Sequence, residues 1–207
     1  MSVEGGPVPA AVRRRERERA DARNAILAAA RDLARQEGWE AVTMRRLAER
    51  IEYSANFAYR YFAGRDAILQ ALVRDGFVQL HGEMAAAVGS AGPAQAVRRA
   101  SHAYLDFALS DPDLYQLMYG LGGVRVAPAD TWAEGQAVGE LLTGLLTAAG
   151  DRNAAAHVLR LWATAHGLLA LLGVGRVVLD APHLHATLDA ALDDVLRPVS
   201  TAGTTGR

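Results

Sequence analysis

The densest chemistry in the sequence lies between residues 43 and 69. There Thr43-Met-Arg-Arg-Leu-Ala-Glu-Arg-Ile-Glu-Tyr-Ser-Ala-Asn-Phe-Ala-Tyr-Arg-Tyr-Phe-Ala-Gly-Arg-Asp-Ala-Ile-Leu interleaves arginines with aromatic rings. The spacing reads as two short helices of the size that enters a DNA major groove. A recognition helix needs side chains that reach base edges from its first turns, and flanking donors that hold phosphates and fix register. Ala55, Asn56 and Phe57, behind a Ser54 cap, occupy the first position; Tyr59, Arg60, Tyr61 and Arg65 are spaced for the second. Phe62 falls on the apolar side and reads as core.

No constellation for enzyme chemistry stands beside this stretch. The sequence has no His-Glu-x-x-His, no Gly-x-Ser-x-Gly elbow and no phosphate loop ending in Gly-Lys-Ser/Thr. It contains no lysine, which removes a Schiff base, and no cysteine, which removes a thiol nucleophile, thiolate zinc and a disulfide framework. His183 and His185 are two apart, on different faces of a helix, and do not converge on a metal. Gly120-Leu-Gly122-Gly123 and Gly173-Val-Gly175 follow no strand and read as loops rather than dinucleotide fingerprints. No enzyme, metal or cofactor is expected.

The elements that must position the arginine-aromatic stretch are all helical, with neither a strand pattern nor an internal repeat. Residues 1–16 read as a disordered segment whose run Arg13 to Arg19, diluted by Glu16 and Glu18, is a solvated helix start rather than a groove-seeking arm. From about Arg17 to Glu37, Ile26, Leu27, Ala30, Leu33 and Ala34 mark one helical face, closed by Gly38. Thr43 caps a helix from Met44 to Ile51 that turns Arg45, Arg46 and Arg50 outward, and Ser54 caps a third helix through Tyr61 or Phe62. The fourth opens at Asp66 and runs to about Val88. Residues 17–65 thus form a helix-turn-helix domain and 66–92 a connecting helix and linker, with Gly89 to Pro93 as the boundary.

Residues 93–198 read as a second helical domain, followed by a disordered tail at 199–207. Its helices run from Pro93 to Leu109, from Ser110-Asp111-Pro112 through Tyr119, and then, past a loop from Gly120 to Pro128, from about Ala129 to Ala149, Asp151 to Gly173 and Ala181 to Leu196. The last two are greasy on more than one side, through Val158, Leu161, Trp162, Ala165, Leu168, Leu169 and Leu172, and through Leu184, Leu188, Leu192 and Val195. They are therefore expected to form a homodimer interface.

Of the 207 residues 51% are hydrophobic and 22% charged, enough for a sizeable core without staples. The net charge of −1 conceals an asymmetry: residues 1–75 hold 14 arginines against 11 acids, and residues 76–207 hold 8 against 12. The apolar run Leu161 to Gly175 is shorter than the roughly 18 to 20 residues that span a bilayer. The N-terminus lacks a secretion signal, so a cytoplasmic location without membrane contact is expected.

Several anchors together carry a resemblance. Ile26-Leu-x-Ala-Ala, Glu37-Gly-Trp, Val42-Thr-Met, Leu47-Ala, Ser54 and Tyr59-x-Tyr-Phe-x-x-Arg-Asp-x-Ile-Leu follow, in order and spacing, the N-terminal pattern of TetR family transcriptional regulators. The match covers about residues 20–75. By that resemblance Arg45 reads a base, Thr43, Tyr61 and Arg65 hold phosphate, and Tyr59 touches backbone or thymine methyl groups. The chain departs from the family in its turn, where Glu52-Tyr53-Ser54 replaces the usual Gly-Val-Ser, and at Ala58, where a larger aliphatic residue is common. A glutamate in the left-handed conformation of such a turn costs about 1 kcal/mol.

In the second half, Asp111-Pro-Asp-Leu-Tyr-Gln-Leu-Met-Tyr and Trp162-Ala-Thr-Ala-His166-Gly167 resemble the TetR subgroup bearing a Trp-x-x-x-His-Gly signature. Trp162 and His166, four apart, share a helical face. With Tyr104, Phe107, Tyr115, Met118 and Tyr119 they are the candidate walls of a small-molecule cavity, and His166 is placed to hold a buried hydrogen bond. The expectation is an all-α, homodimeric repressor, released from a palindromic operator of double-stranded DNA by a small apolar or aromatic effector. The alternative is a helical small-molecule binding protein without sequence-specific DNA recognition.

Overall fold

The computed structural model describes residues 9–121, 123–127 and 131–201, with Ala55, Trp132 and residues 198–201 described by their backbone. The described residues form nine α-helices and one 3-10 turn and contain no strand. The chain divides into two compact units, Met1–Leu72 and Val73–Arg207, so the division falls within a helix rather than at Gly89–Pro93.

In the first unit α1 (Ala10–Glu37) buries Ile26, Leu27, Ala29, Ala30, Leu33 and Ala34 on one side and ends at Gly38, whose positive φ of 82° a residue with a Cβ would resist. Residues 10–16, expected to be disordered, are helical. Charges four apart, such as Arg14 and Glu18 at 3.6 Å, support this exposed first stretch, and an apolar pattern cannot register it. Residues 1–8 lie outside the described residues. The turn Trp39–Ala41 leads to α2 (Met44–Arg50), whose N-terminus is closed by the Thr43 hydroxyl accepting from the Arg46 backbone N–H at 3.3 Å. The third helix, α3, is short, Ala55–Tyr59, and does not reach Tyr61 or Phe62. Its end is drawn tight by Arg60 N–H donating to the Phe57 carbonyl and Tyr61 N–H to the Ala58 carbonyl, which close three-residue turns. Ile26, Leu47 and Ala58 are completely buried, and Phe62 packs with them as core.

A fourth helix, α4 (Arg65–Val88), begins in the first unit and continues into the second. There it is joined by α5 (Pro93–Ser110), α6 (Pro112–Tyr119), α7 (Trp132–Ala148), α8 (Ala154–Gly173) and α9 (Ala181–Thr201). Pro93 and Pro112 each start a helix, where a missing N–H costs nothing, and Asp111 caps α6 by accepting from Leu114 N–H at 3.2 Å. Gly76 lets α6 approach α4, since a Cβ there would lie 2.7 Å from Met118 Sδ. α5 packs on α6, α7 and α9, and α8 lies between α7 and α9.

Charges set the register of α5 against α9. Arg98 donates to Asp189 at 3.2 Å and to Asp193, His102 Nε2 donates to Asp189 at 2.9 Å, and His185 Nε2 to Asp106 at 2.8 Å. Positions four apart on each helix thus pair in antiparallel order.

Two expectations for the last helices are corrected. α9 is not greasy on two sides: Leu184, Leu188, Leu192 and Val195 are all buried within this chain, packed toward α5 and α8. It also continues past Pro198 to Thr201, because a proline in a last turn removes only one hydrogen bond near a fraying end. Residues 202–207 lie outside the described residues. α8 differs: Leu159 is 60% exposed, Trp162 41% and Leu171 44%. At 20 residues α8 is long and apolar enough by length and composition to cross a bilayer, which the shorter run counted from Leu161 does not reveal. The helix carries His157, Arg160 and His166 as well.

Glu52 is the one non-glycine residue with positive φ, 59°, among those described, so the turn between α2 and α3 has the left-handed geometry that glycine fills without strain. Glu52→Gly is expected to stabilise the protein by about 1 kcal/mol. A urea unfolding midpoint unchanged or lowered in that variant would show that the turn stores no such strain.

Candidate functional site

The first unit presents α2 and α3 with mixed availability of the residues picked out by sequence. Arg45 is exposed, with only a solvent-facing pair to Glu49 at 3.6 Å to release. Asn56, Tyr59 and Arg60 are exposed, Tyr59 by 53%. The Arg60 guanidinium lies 4.9 Å from the Phe57 ring centre and 5.8 Å from that of Tyr61, a cation–π seat that orders it at the surface. Phe57 and Tyr61 are half-buried, and Ser54 precedes α3 with an extended backbone but makes no side-chain cap bond. The Ala55 side chain lies outside the described residues.

Three of the expected DNA contacts have internal partners. Thr43 spends its hydroxyl on the α2 cap. Arg46 is bonded to Glu37, which raises the guanidinium pKa and lowers that of the carboxyl. Arg65 donates through Nε to the Val42 carbonyl at 2.9 Å and through Nη2 to the Trp39 carbonyl at 3.1 Å, while Nη1 faces Asp66 at 3.7 Å. Its guanidinium therefore ties the start of α4 to the chain entering α2. Tyr53 was not singled out by sequence. It is 57% exposed and stacks on Phe57, ring centres 4.0 Å apart at 15°, and the four-residue aromatic spacing was the signal for it.

The second unit contains a cavity of about 1070 Å³. Of the seven residues expected to wall it, Tyr104, Met118, Tyr119 and Trp162 do so. Phe107, Tyr115 and His166 do not. Phe107 is 1% exposed in solid core, whereas Tyr115 and His166 stand behind the wall in a hydrogen-bond chain. Trp162 Nε1–H donates to Tyr104 Oη at 3.1 Å, Tyr104 and Tyr115 hydroxyls bond at 2.8 Å, and Tyr115 Oη lies 2.9 Å from His166 Nδ1. An indole can only donate. Trp162, Tyr104, Tyr115 and His166 thus form one hydrogen-bonded chain with the indole as a fixed donor at one end.

Burial keeps the titratable members of this chain neutral. Removal from water pushes the Tyr104, Tyr115 and Tyr119 phenols well above their ordinary range and lowers the His166 imidazole. The rest of the wall, missed by sequence, comes from α4, the segment following α6, α7, α8 and α9, including Phe77, Met84, Arg125, Val138, Leu142 and Leu188. Those on the helices have the same helical spacing as core, so no pattern separates them from it. Ser101 also borders the cavity; it is 5% exposed, and its hydroxyl has no hydrogen-bond partner. Among the described residues no group of three or more metal-ligating side chains converges.

The fold and the two sites define an all-α protein with a helix-turn-helix unit and a cavity-bearing helical unit. Residues 26–72 match the model of the bacterial regulatory proteins of the tetR family, and residues 97–195 match a tetracyclin repressor-like C-terminal domain. The chain belongs to the TetR family of DNA-binding transcriptional regulators. It is 31% identical over 91 residues to YobS of Bacillus subtilis (strain 168), an uncharacterized HTH-type transcriptional regulator; the match spans 44% of this chain and about half, 48%, of that relative. A solved protein of unknown function from Rhodococcus sp. RHA1 is 27% identical with a TM-score of 0.73, covering 86% of this chain and 94% of that one. The TetR family regulator PfmR from Thermus thermophilus shares the fold at 20% identity and a TM-score of 0.64, over 83% of this chain and 97% of that one.

Two predictions test this geometry. Ser101→Ala removes an unpaired buried hydroxyl and is expected to raise the unfolding free energy of the ligand-free protein by about 1 kcal/mol; a loss in urea titration would reveal a partner for it. His166 has a folded pKa below its ordinary value of about 6.5, so in the window beneath 6.5 the unfolded chain binds more protons. Stability therefore rises with pH through that window and falls on acidification. His166→Gln, whose amide can still hydrogen-bond the Tyr115 hydroxyl as donor or acceptor, is expected to flatten the melting-temperature profile between pH 7 and 5. Identical profiles for the two proteins would exclude His166 as the origin.

Proposed function

We propose that this chain is a homodimeric, ligand-responsive regulator of transcription, a cytoplasmic repressor released from a palindromic operator by a small apolar or aromatic effector. The observation that carries this reading is the 1070 Å³ cavity, at the upper end of the size range of ligand pockets, in a chain whose first unit holds the helix-turn-helix. In this reading Asn56, Tyr59 and Arg60 meet the DNA together with Arg45, which reads a base, while Thr43, Tyr61 and Arg65 fix the backbone. Two-fold symmetry sets the recognition helices about 34–36 Å apart. Effector binding acts through α4, which supplies Phe77 and Met84 to the cavity and carries Arg65 at its first residue.

The dimer uses α8, whose exposed Leu159 and Trp162, three apart on one face, form an apolar patch that water disfavours, with the small residues of α9 beside it. The second reading, a binding protein without sequence-specific DNA recognition, is favoured by the internal pairing of Arg46 and Arg65 and by Glu52 at the turn.

Selection of sites from random duplex DNA, followed by titration of the winner at several salt concentrations, decides between them. A palindrome bound as a dimer with steep salt dependence supports the regulator; no enriched sequence, with and without extracted small molecules, supports the binding protein. Arg45→Ala is expected to relax preference at one base pair, a loss of about 1–3 kcal/mol in discrimination. An equal loss on all sequences would remove Arg45 from base reading.

A further inference from the structure

The described residues around the cavity include one charged side chain, Arg125, and no acid. Arg125 sits on the segment following α6. Its stem lies against Gly120, where a Cβ would be 3.6 Å from Arg125 Cγ, and Gly120 adopts the left-handed conformation that closes that helix. No ion pair to Arg125 is found among the described residues, whereas Arg74 on α4 is paired with Glu134 at 3.0 Å. Arg125 is exposed and borders the cavity.

Behind it the polar atoms of the aromatic wall are already committed. Tyr104 accepts from Trp162 and bonds Tyr115, so that wall presents rings rather than open donors. Elsewhere the lining includes Thr131, Gln136 and Ser101, and the Ser101 hydroxyl is buried without a partner. Among the described residues a cationic ligand would find no counter-charge at the cavity. A wholly apolar one would leave both Arg125 and Ser101 unused.

We propose that the effector is an amphiphile: an apolar body filling the cavity and an anionic head, of the carboxylate or sulfonate type, held at its edge by Arg125. This rests on the reading of the cavity as the ligand site. Arg is suited to such a head because its planar fork meets two oxygens at once in charge-assisted bonds.

The test uses two fluorescent probes that differ only in the head: 8-anilinonaphthalene-1-sulfonate and N-phenyl-1-naphthylamine, the same rings without the sulfonate. Both are titrated into the full chain and into two variants. Arg125→Gln is expected to weaken the sulfonate about tenfold, abolish the salt dependence of its binding and leave the neutral probe unchanged. If both probes weaken equally, or the sulfonate not at all, Arg125 does not recognise an anion and the proposal is overturned. Gly139→Leu keeps those outcomes apart from failure of the cavity itself. Gly139 borders the cavity, and a Cβ there meets no atom within 4 Å, so a leucine enters open space and is expected to exclude both probes. Undiminished binding of both in Gly139→Leu, or of neither by the unaltered chain, overturns the cavity as the ligand site and the proposal with it.

Discussion

The second unit depends on a chain of four hydrogen-bonded side chains, Trp162, Tyr104, Tyr115 and His166, that ties α5, α6 and α8 together around an open space. At about 24 cal/mol per Å³, a sealed empty void of this size would cost on the order of 25 kcal/mol, more than the roughly 5–15 kcal/mol by which a protein is stable. The space must therefore be occupied by solvent or ligand, and its walls must hold their shape without packing against anything rigid. Aromatic rings joined by directional bonds do this better than aliphatic side chains, which would relax inward. The indole donates at one end of the chain, and the same burial that keeps the phenols protonated favours the neutral imidazole at the other. One environment thus sets the protonation of every member consistently.

The first unit meets the opposite demand, a solid core under short helices too small to hold themselves. Seven residues in α2 and five in α3 are below the length at which helices persist alone. They are held by Leu47, Ala48 and Ala58 beneath, and by the Arg65 guanidinium, which gathers the carbonyls of Val42 and Trp39. Arginine can do this because its donors form a fork, whereas a lysine ammonium would present a point charge. The turn at Glu52 runs the other way: a strained backbone is kept where the packing of α2 against α3 over-determines it.

Charge and apolar surface divide the outer helices of the second unit. α9 commits its apolar side to the interior and its acids to Arg98 and His102, which leaves small residues outward. α8 commits one side to α7 and α9 and still presents Leu159 and Trp162, both of which also border the cavity. The same two side chains therefore belong to the apolar surface and to the wall of the site. Any molecule that covers α8 changes the site's solvation.

How much of this was legible in the sequence follows from what periodicity measures. It finds helices with an apolar face, so α2, α5, α6, α7, α8 and α9 stand close to their expected places, and it found Tyr104, Met118, Tyr119 and Trp162 as an inward set. It does not see a helix supported by charges, which is why α1 begins at Ala10 rather than near Arg17. Nor does it see emptiness. Phe107 and Met118 have the same apolar character and the same helical logic, yet one faces solid core and the other the cavity, because the difference lies in what the opposite helix omits. Gly139 and Gly135 on α7 are part of that omission: both border the cavity where a larger side chain would intrude on it. A hollow interior is written as small residues on the facing helix, and those signal a void only once the register of α7 against α5 and α8 is known.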